Sequence, residues 1–494
     1  MKKIICILSV MAILVSCTDL ESEMYNVINP SIFPKNQQDA EALVTAAAYS
    51  VMGGPGGYDA GMFRTNYYGY QTVGDMLTDV GDIEWAGLGL PDLQNVNLTV
   101  SSSLVLPLYG YGRDISKMTL TIERIAAIDM PQAVKDRLTA ELHCGKGWLG
   151  YLLFDWYGSI PVAPLEVLQD PLNEEVLPRL SKEEMVSFIE TELKEAIKVL
   201  PANYKKGDAN YGRFTRGLAY TVLMKLYMHV GEWAKAEECG RELMKAEYGY
   251  ALVPEYEDIF TFENEKNEEI IWALQCTRNG NMTAWHAHCV PSMYPTKNPN
   301  ITKWSGFRVP WAFYNTFDPN DRRLKVLIGD FEGTDGVRYN EEAPSLILDK
   351  GAIPIKYGED PAAIGEMSQV DWIIYRYADV LTALSEVIVR KNNAVTQEAV
   401  DLLNTIRVRA GITPYTQADF SDAADFLDKV LLNRGQELWW EGCRRPDLIR
   451  HGKFVEFARK YKGSTTVQDF MTLMPIPQSA INEGKGKVIQ NPGY

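Results

Sequence analysis

Residues 218–244 read Leu218-Ala-Tyr-Thr-Val222-Leu-Met-Lys-Leu226-Tyr-Met-His-Val230-Gly-Glu-Trp233-Ala-Lys-Ala236-Glu-Glu-Cys-Gly-Arg-Glu-Leu243-Met244. Leu218, Val222, Leu223, Leu226, Tyr227 and Val230 recur three and four residues apart, which is the period of one helix face. Gly231 then turns the chain, and Trp233, Ala236, Leu243 and Met244 carry a second apolar stripe. The segment therefore predicts two antiparallel helices joined by a tight turn, with Ala236 small enough to let them approach closely.

Tyr227, Gly231, Trp233 and Ala236 fall at the spacing of a tetratricopeptide helix pair. A second hairpin repeats the pattern. Tyr377, Val380, Leu381, Leu384, Val387 and Ile388 form one stripe, Asn392-Asn393 lies in the turn, and Ala399, Leu402, Leu403, Ile406 and Ala410 form the next before Gly411. Upstream, Ser181-Lys-Glu-Glu184 is a capping box opening a helix through Met185, Phe188, Ile189, Leu193, Ala196, Ile197 and Leu200, and Pro201 follows its end. The expected fold is mainly all-α, a tetratricopeptide-like array of helix pairs with long irregular loops. Such a stack buries its core between repeats and leaves its loops free to bind.

The 494 residues are 46% hydrophobic and 23% charged, which fits a globular chain with a large core. Formal charge is −16 and no run of Lys or Arg occurs, so nucleic acid is not an expected partner. Lys2 and Lys3 precede an apolar run from Ile4 to Val15, followed at once by Ser16-Cys17. Its 12 residues fall short of the roughly 20 that span a bilayer, so the run reads as an export signal. Leu14-Val-Ser-Cys17 has the form of a bacterial lipobox, with residues 1–16 removed and Cys17 lipidated. Residues 17–38 are polar, contain Pro30 and Pro34, and read as a tether. Residues 39–494 then form a single helical domain, with loop insertions at about 53–112 and 276–370. Beyond Cys6 and Cys17, the cysteines are Cys144, Cys239, Cys276, Cys289 and Cys443, an odd set without close pairs that reads as small buried hydrophobes.

Catalytic patterns are scarce. His286 and His288 are the only close histidine pair; on an extended segment they would share a face, but no third ligand stands at matching spacing, so no metal and no cofactor are expected. Gly53-Gly-Pro-Gly-Gly57 lacks both the preceding strand and the following Lys-Ser/Thr of a phosphate cradle. No Gly-x-Ser-x-Gly elbow occurs, and no catalytic residue is assigned. Sugar recognition needs other residues, because a pyranose presents an apolar C–H face to Trp or Tyr rings and hydroxyls to paired donors and acceptors. The insertions carry that mixture. Asp82, Glu84 and Trp85 stand in the first, and Asn281, Trp285, Tyr294, Asn298, Trp304, Arg308 and Trp311 in the second. Of these, Asp82, Trp85, Asn281, Trp285, Tyr294, Trp304, Arg308 and Trp311 are the candidate ligand contacts.

The final third resembles the SusD/RagB family of Bacteroidetes nutrient-binding lipoproteins. The matching segments are Tyr375-Arg-Tyr-Ala-Asp-Val-Leu381, Leu402-Leu-Asn-Thr-Ile-Arg407 with Arg409-Ala-Gly411, Glu437-Leu, Glu441-Gly-Cys-Arg444 and Asp447-Leu-Ile-Arg450. Pro475-Ile-Pro477 and the closing Gln490-Asn-Pro-Gly-Tyr494 also fit, as do Trp156-Tyr-Gly-Ser-Ile-Pro161 and the pair around Gly231. Gly435, Pro446 and Ser116-Lys117 depart from the family pattern. Arg376, Arg407 and Arg444 are expected to form buried charge pairs with Glu437, Glu441 and Asp447, marking the fold and not the site.

The resemblance implies a tetratricopeptide-like fold and a surface lipoprotein held in the outer membrane by its lipid, with Asp19, Glu21 and Glu23 similar to a surface-export signal. It further implies a binder, not an enzyme, that closes as a lid on a SusC-like TonB-dependent transporter and delivers oligosaccharide to it. Binding loops vary within the family, so no ligand contact is carried over. Three alternatives stay open: a peptide-binding member, a surface glycoside hydrolase and a protein-binding helical adaptor.

Overall fold

A computed structural model describes residues 33–53, 58–170, 172–173 and 175–494. The expected signal at 1–16, the expected lipidation site Cys17 and most of the segment read as tether lie outside these residues. The first described helix, α1 (Gln37–Val44), is capped by the Asn36 side chain and starts two residues inside the segment read as tether.

Long helices carry the array. In chain order they are α2 (Gly112–Ala126), α3 (Gln132–Tyr157), α4 (Lys182–Ile197), α5 (Arg216–Val230) and α6 (Trp233–Leu243). After the second insertion, which holds the short α7 (Trp285–Cys289), come α8 (Tyr377–Asn392), α9 (Gln397–Ala410), α10 (Ala423–Leu438) and α11 (Arg444–Arg450). Neighbours in this sequence pack side by side from α2 to α6, and α6 then packs directly on α8. The array is thus continuous in space although more than a hundred residues intervene in sequence.

Local signals set the helix ends. Ser181 and Glu184 form the expected reciprocal capping box, with bonds of 3.1 and 2.7 Å. Gly231 turns out of α5 at φ +80° and Gly411 out of α9 at φ +75°, a region that glycine enters without the clash a Cβ suffers. Asn393 does the same after α8 at φ +48°. Ala236 is fully buried between the helices, and Gly240 one turn later lets α6 approach α8, since a Cβ there would stand 3.0 Å from Leu384 and Met224.

The second insertion leaves the array through a two-stranded neck. Antiparallel strands Ile270–Leu274 and Trp372–Arg376 pair Ile270 with Arg376 and Leu274 with Trp372, closing the ends of residues 276–370 together. Inside it lie short helices and two-residue strands, so the long unstructured excursion expected from the sequence is instead a compact irregular layer.

Below the neck sits a buried ionic cluster. Arg376 donates to Glu437 at 2.6 Å, Glu441 at 2.7 Å and Glu269 at 2.8 Å, and every side chain involved is at most 4% exposed. Arg409 bonds Glu269 at 2.7 Å and also Glu437. Burial pushes the Glu437 carboxyl up, but Arg409, Arg376 and Arg323 outweigh it and hold it at about 2. Two expected pairings are corrected. Arg407 stays outside the cluster, stacking 3.6 Å from the Tyr415 ring and donating to the Thr413 carbonyl, because it projects from a different side of α9 than Arg409. Arg444 pairs with Asp79 at 2.7 Å, leaving Asp447 to Arg434 and Arg450. Gly435 makes room for that arrangement: a Cβ would stand 2.7 Å from the Arg444 guanidinium.

Cys144, Cys239, Cys276, Cys289 and Cys443 are all buried free thiols, as expected. Among the described residues no helix is long and apolar enough to cross a membrane.

Candidate functional site in the loop layer

The two insertions are stitched together by one short ladder. Asp82–Ile83 pairs antiparallel with Phe307–Arg308, matching Asp82 to Arg308 and Ile83 to Phe307. The Glu84 amide extends it by donating to the Gly306 carbonyl at 2.9 Å. Trp85 and Trp304 consequently stand together just beyond the ladder, and the Trp85 indole Nε1 donates to the Trp304 carbonyl at 3.1 Å. Gly306 permits this closeness, since a Cβ there would lie 2.8 Å from both the Trp85 ring and the His288 carbonyl.

Around this pair lies an open cavity of about 440 Å³ walled by Tyr58, Tyr67, Tyr68, Trp85, His288 and Trp304, with Asp59 and Asn66. Tyr67 stands edge-on to Trp85 at 5.8 Å and 87°, and His288 edge-on to Trp304 at 4.8 Å and 84°. Behind them His288 stacks on Phe307 at 5.2 Å and 17°. The rings hold one another in crossed orientations, so the wall is built before any ligand arrives.

The polar groups complement the rings. Burial holds the His288 imidazolium down at about 4, and Nδ1 lies 2.8 Å from the Ala284 carbonyl. The ring is therefore neutral at pH 7 with Nδ1–H donating, which leaves Nε2 an acceptor. Burial raises Tyr58 and Tyr67 above the usual phenol range, with Asp59 adding to the rise, so both hydroxyls stay protonated. Asn66 donates to one Asp59 oxygen and accepts from the Tyr68 amide at 2.9 Å, fixing the turn that presents the tyrosines. Aromatic faces, protonated hydroxyls, a neutral acceptor and an exposed carboxylate can together hold a polyhydroxylated ring.

Of the candidate contacts, the structure brings Trp85 and Trp304 into this cavity. Trp285 is corrected: it is 1% exposed, donates to the Pro354 carbonyl at 2.8 Å, and lies among Phe307, Tyr357, Trp372 and Trp440. Arg308 is corrected likewise. It is fully buried and bonds the Ile347, Cys289 and Phe307 carbonyls, Ser305 and Glu84, so it braces the loops from within. Burial lowers this guanidinium to about 10 and lifts Glu84 to about 7, although each favours the other's charge.

The other candidates lie outside the cavity. Trp311 is half-buried, with its indole on the Leu348 carbonyl and its ring against Tyr314. Asp82 accepts from Gln94 at 2.7 Å, and Asn281 donates to the Gln275 carbonyl at 3.3 Å. Tyr294 meets Phe331 edge-on and borders a different cleft. Tyr58, Asp59, Asn66, Tyr67, Tyr68 and His288 were not among the candidates; the signal available was the density of tyrosine in the first insertion. His286 and His288 lie in the helical turn α7 and not on an extended segment, so they face different cavities. Gly54–Gly57 lie outside the described residues.

Comparison with known proteins fits this layout. Residues 334–494 match the model of the SusD family. The starch-binding protein SusD of Bacteroides thetaiotaomicron is 22% identical over 88% of this chain and 86% of its own length. The SusD-like protein P38 of Formosa agariphila is 24% identical over 93% of each chain. Among solved structures, a SusD superfamily protein from Parabacteroides distasonis aligns with a TM-score of 0.76 at 19% identity, covering 93% of this chain and 99% of its own. Surface glycan-binding protein A from Bacteroides thetaiotaomicron, in complex with laminarihexaose, aligns with a TM-score of 0.73 at 20% identity, covering 92% and 100%. Motifs, fold and the C-terminal match agree: residues 334–494 carry the pattern of the SusD family, and the chain as a whole has the fold of SusD superfamily structures.

Proposed function

We propose that this protein captures glycan at the bacterial cell surface, in the aromatic cavity between its two insertions, and passes it to a SusC-like TonB-dependent transporter. The observation that carries this reading is the convergence of Trp85, Trp304, Tyr58, Tyr67 and Tyr68 on one open cavity with neutral and acidic hydrogen-bonding groups. Two relatives named for starch and glycan binding support it. In this reading Cys17 carries the lipid anchor in the outer membrane, residues 18–36 form the leash, and the protein swings as a lid over its transporter. Among the candidate residues, Trp85 and Trp304 are assigned to the ligand; Asp82, Asn281, Tyr294 and Trp311 are not.

Native electrophoresis through gels containing a panel of polysaccharides tests it, with reducing ends measured in parallel. Retardation by at least one glycan without release of sugar is the expected result. Released sugar would show a glycosidase, and free migration in every gel would contradict glycan capture.

A further inference from the structure

The aromatic cavity between the insertions is one-sided in charge. Among the described residues that line it, Asp59 is the one acid and none is Lys or Arg. The Asp59 side chain is exposed, and one of its oxygens accepts from Asn66. It makes no ion pair among the described residues, so its charge is left uncompensated. Arg64, the nearest cation in sequence, does not line the cavity: it donates to the Asp59 backbone carbonyl at 3.3 Å and lies over the Tyr68 ring at 5.4 Å.

The remaining polar groups supply no positive charge either. Burial holds His288 at about 4, and its Nδ1–H is taken by the Ala284 carbonyl, so the ring offers a ligand an acceptor. The Trp85 indole N–H is likewise taken, by the Trp304 carbonyl. Burial raises the Tyr58 and Tyr67 phenols, Asp59 adds to the rise at both, and Glu366 adds to it at Tyr58. The charges acting on these hydroxyls are thus negative. At longer range the chain as a whole has the same sign, with a formal charge of −16.

An anion entering this cavity would lose water, meet Asp59 and find no counter-charge. An uncharged glycan meets no such barrier, since its hydroxyls can donate to Asp59 and His288 while its C–H faces pack on the rings. We propose that the cavity selects uncharged glycan and rejects glycan bearing carboxylate or sulfate groups, with Asp59 as the residue that sets the distinction. The inference rests on the reading of this cavity as the site of glycan capture, and it names the class of glycan captured. Repulsion of this kind gives selectivity without any added contact to the favoured ligand.

The test is calorimetric titration with laminarihexaose, maltohexaose, mannohexaose and galactohexaose, each beside its C6-oxidised uronate and the methyl ester of that uronate. The three forms share a backbone and differ at C6, and only the uronate is charged. For each backbone that binds, the uronate should bind at least about tenfold more weakly at low salt, and the methyl ester should recover most of the loss. Raising salt from about 0.01 M to about 1 M shortens the screening length from about 30 Å to about 3 Å and should narrow the gap. Asp59→Asn, which keeps an oxygen for Asn66, should narrow it as well. A uronate that binds as tightly as its parent, or binds where the parent does not, overturns the selectivity and leaves glycan capture standing. A gap that survives both high salt and Asp59→Asn comes from shape and also overturns it. If no form of any backbone binds, glycan capture in this cavity fails and the selectivity falls with it.

Discussion

The indole Nε1 of Trp85 donates to the backbone carbonyl of Trp304 at 3.1 Å, across 219 residues of chain. One tryptophan thereby acts as a strut between the insertions, while the indole of the other makes no such bond among the described residues. The two should respond differently to removal.

Trp304→Ala should lower glycan affinity by about 1 kcal/mol or more, the scale of a lost stacking partner, with little change in unfolding temperature. Trp85→Ala should lower both, since it also loses the strut and the contact at Gly306. Calorimetric titration beside thermal unfolding separates them. Equal affinity in wild type and Trp304→Ala would remove that ring from the site.

Gly306→Ala should damage the cavity without removing any side chain assigned to the ligand. The added Cβ would meet the His288 carbonyl and the Trp85 ring, each at 2.8 Å, and the carbonyl has little room to yield. Overpacking of this kind typically costs about 1–3 kcal/mol. Denaturant unfolding and glycan titration should both show the loss, and a variant as stable and as tight-binding as wild type would mean the loops adjust freely.

Glu437→Gln should destabilise the protein by about 3–5 kcal/mol, because Arg376, Arg409 and Arg323 would share a buried site without their common counter-charge. Urea midpoints measure this. A loss below about 1 kcal/mol would show that water or rearrangement neutralises the cluster.

Asp75 gives a pH signature. It is fully buried, accepts the Gly442 and Arg444 amides at 2.9 and 3.3 Å, and burial lifts its carboxyl to about 7. A folded-state value above the unfolded one means the folded chain holds the extra proton between about pH 4 and 7. Wild type should therefore gain stability relative to Asp75→Asn as the medium is acidified from pH 7 towards 4, at most about 1.4 kcal/mol for each tenfold rise in proton concentration. Urea unfolding at pH 7.5, 6 and 5 checks the sign, and a difference that stays constant would refute it.

Much of the fold was legible because its signals are local. The capping box at Ser181, the turns at Gly231 and Gly411 and the apolar stripes between them each need only a few neighbouring residues. The edges of the second insertion were also readable, since helical period stops where the neck strands lie at Leu274 and Trp372. The site was legible only in part. Trp285 and Trp304 look alike in sequence, yet one is sealed into the core and the other lines the cavity, because a ladder between distant segments decides which rings face out. Arg407 and Arg409 show the same limit at two residues' distance: which arginine meets Glu437 depends on how α9 is rotated against α10.

A crystal structure of the protein with the oligosaccharide selected by the panel tests the central claim most directly. The account predicts a pyranose face packed on Trp304 or Trp85, with hydroxyls bonded to His288 Nε2, Asp59 or the Tyr58 and Tyr67 hydroxyls. A sugar bound elsewhere on the surface, with this cavity empty, would contradict it.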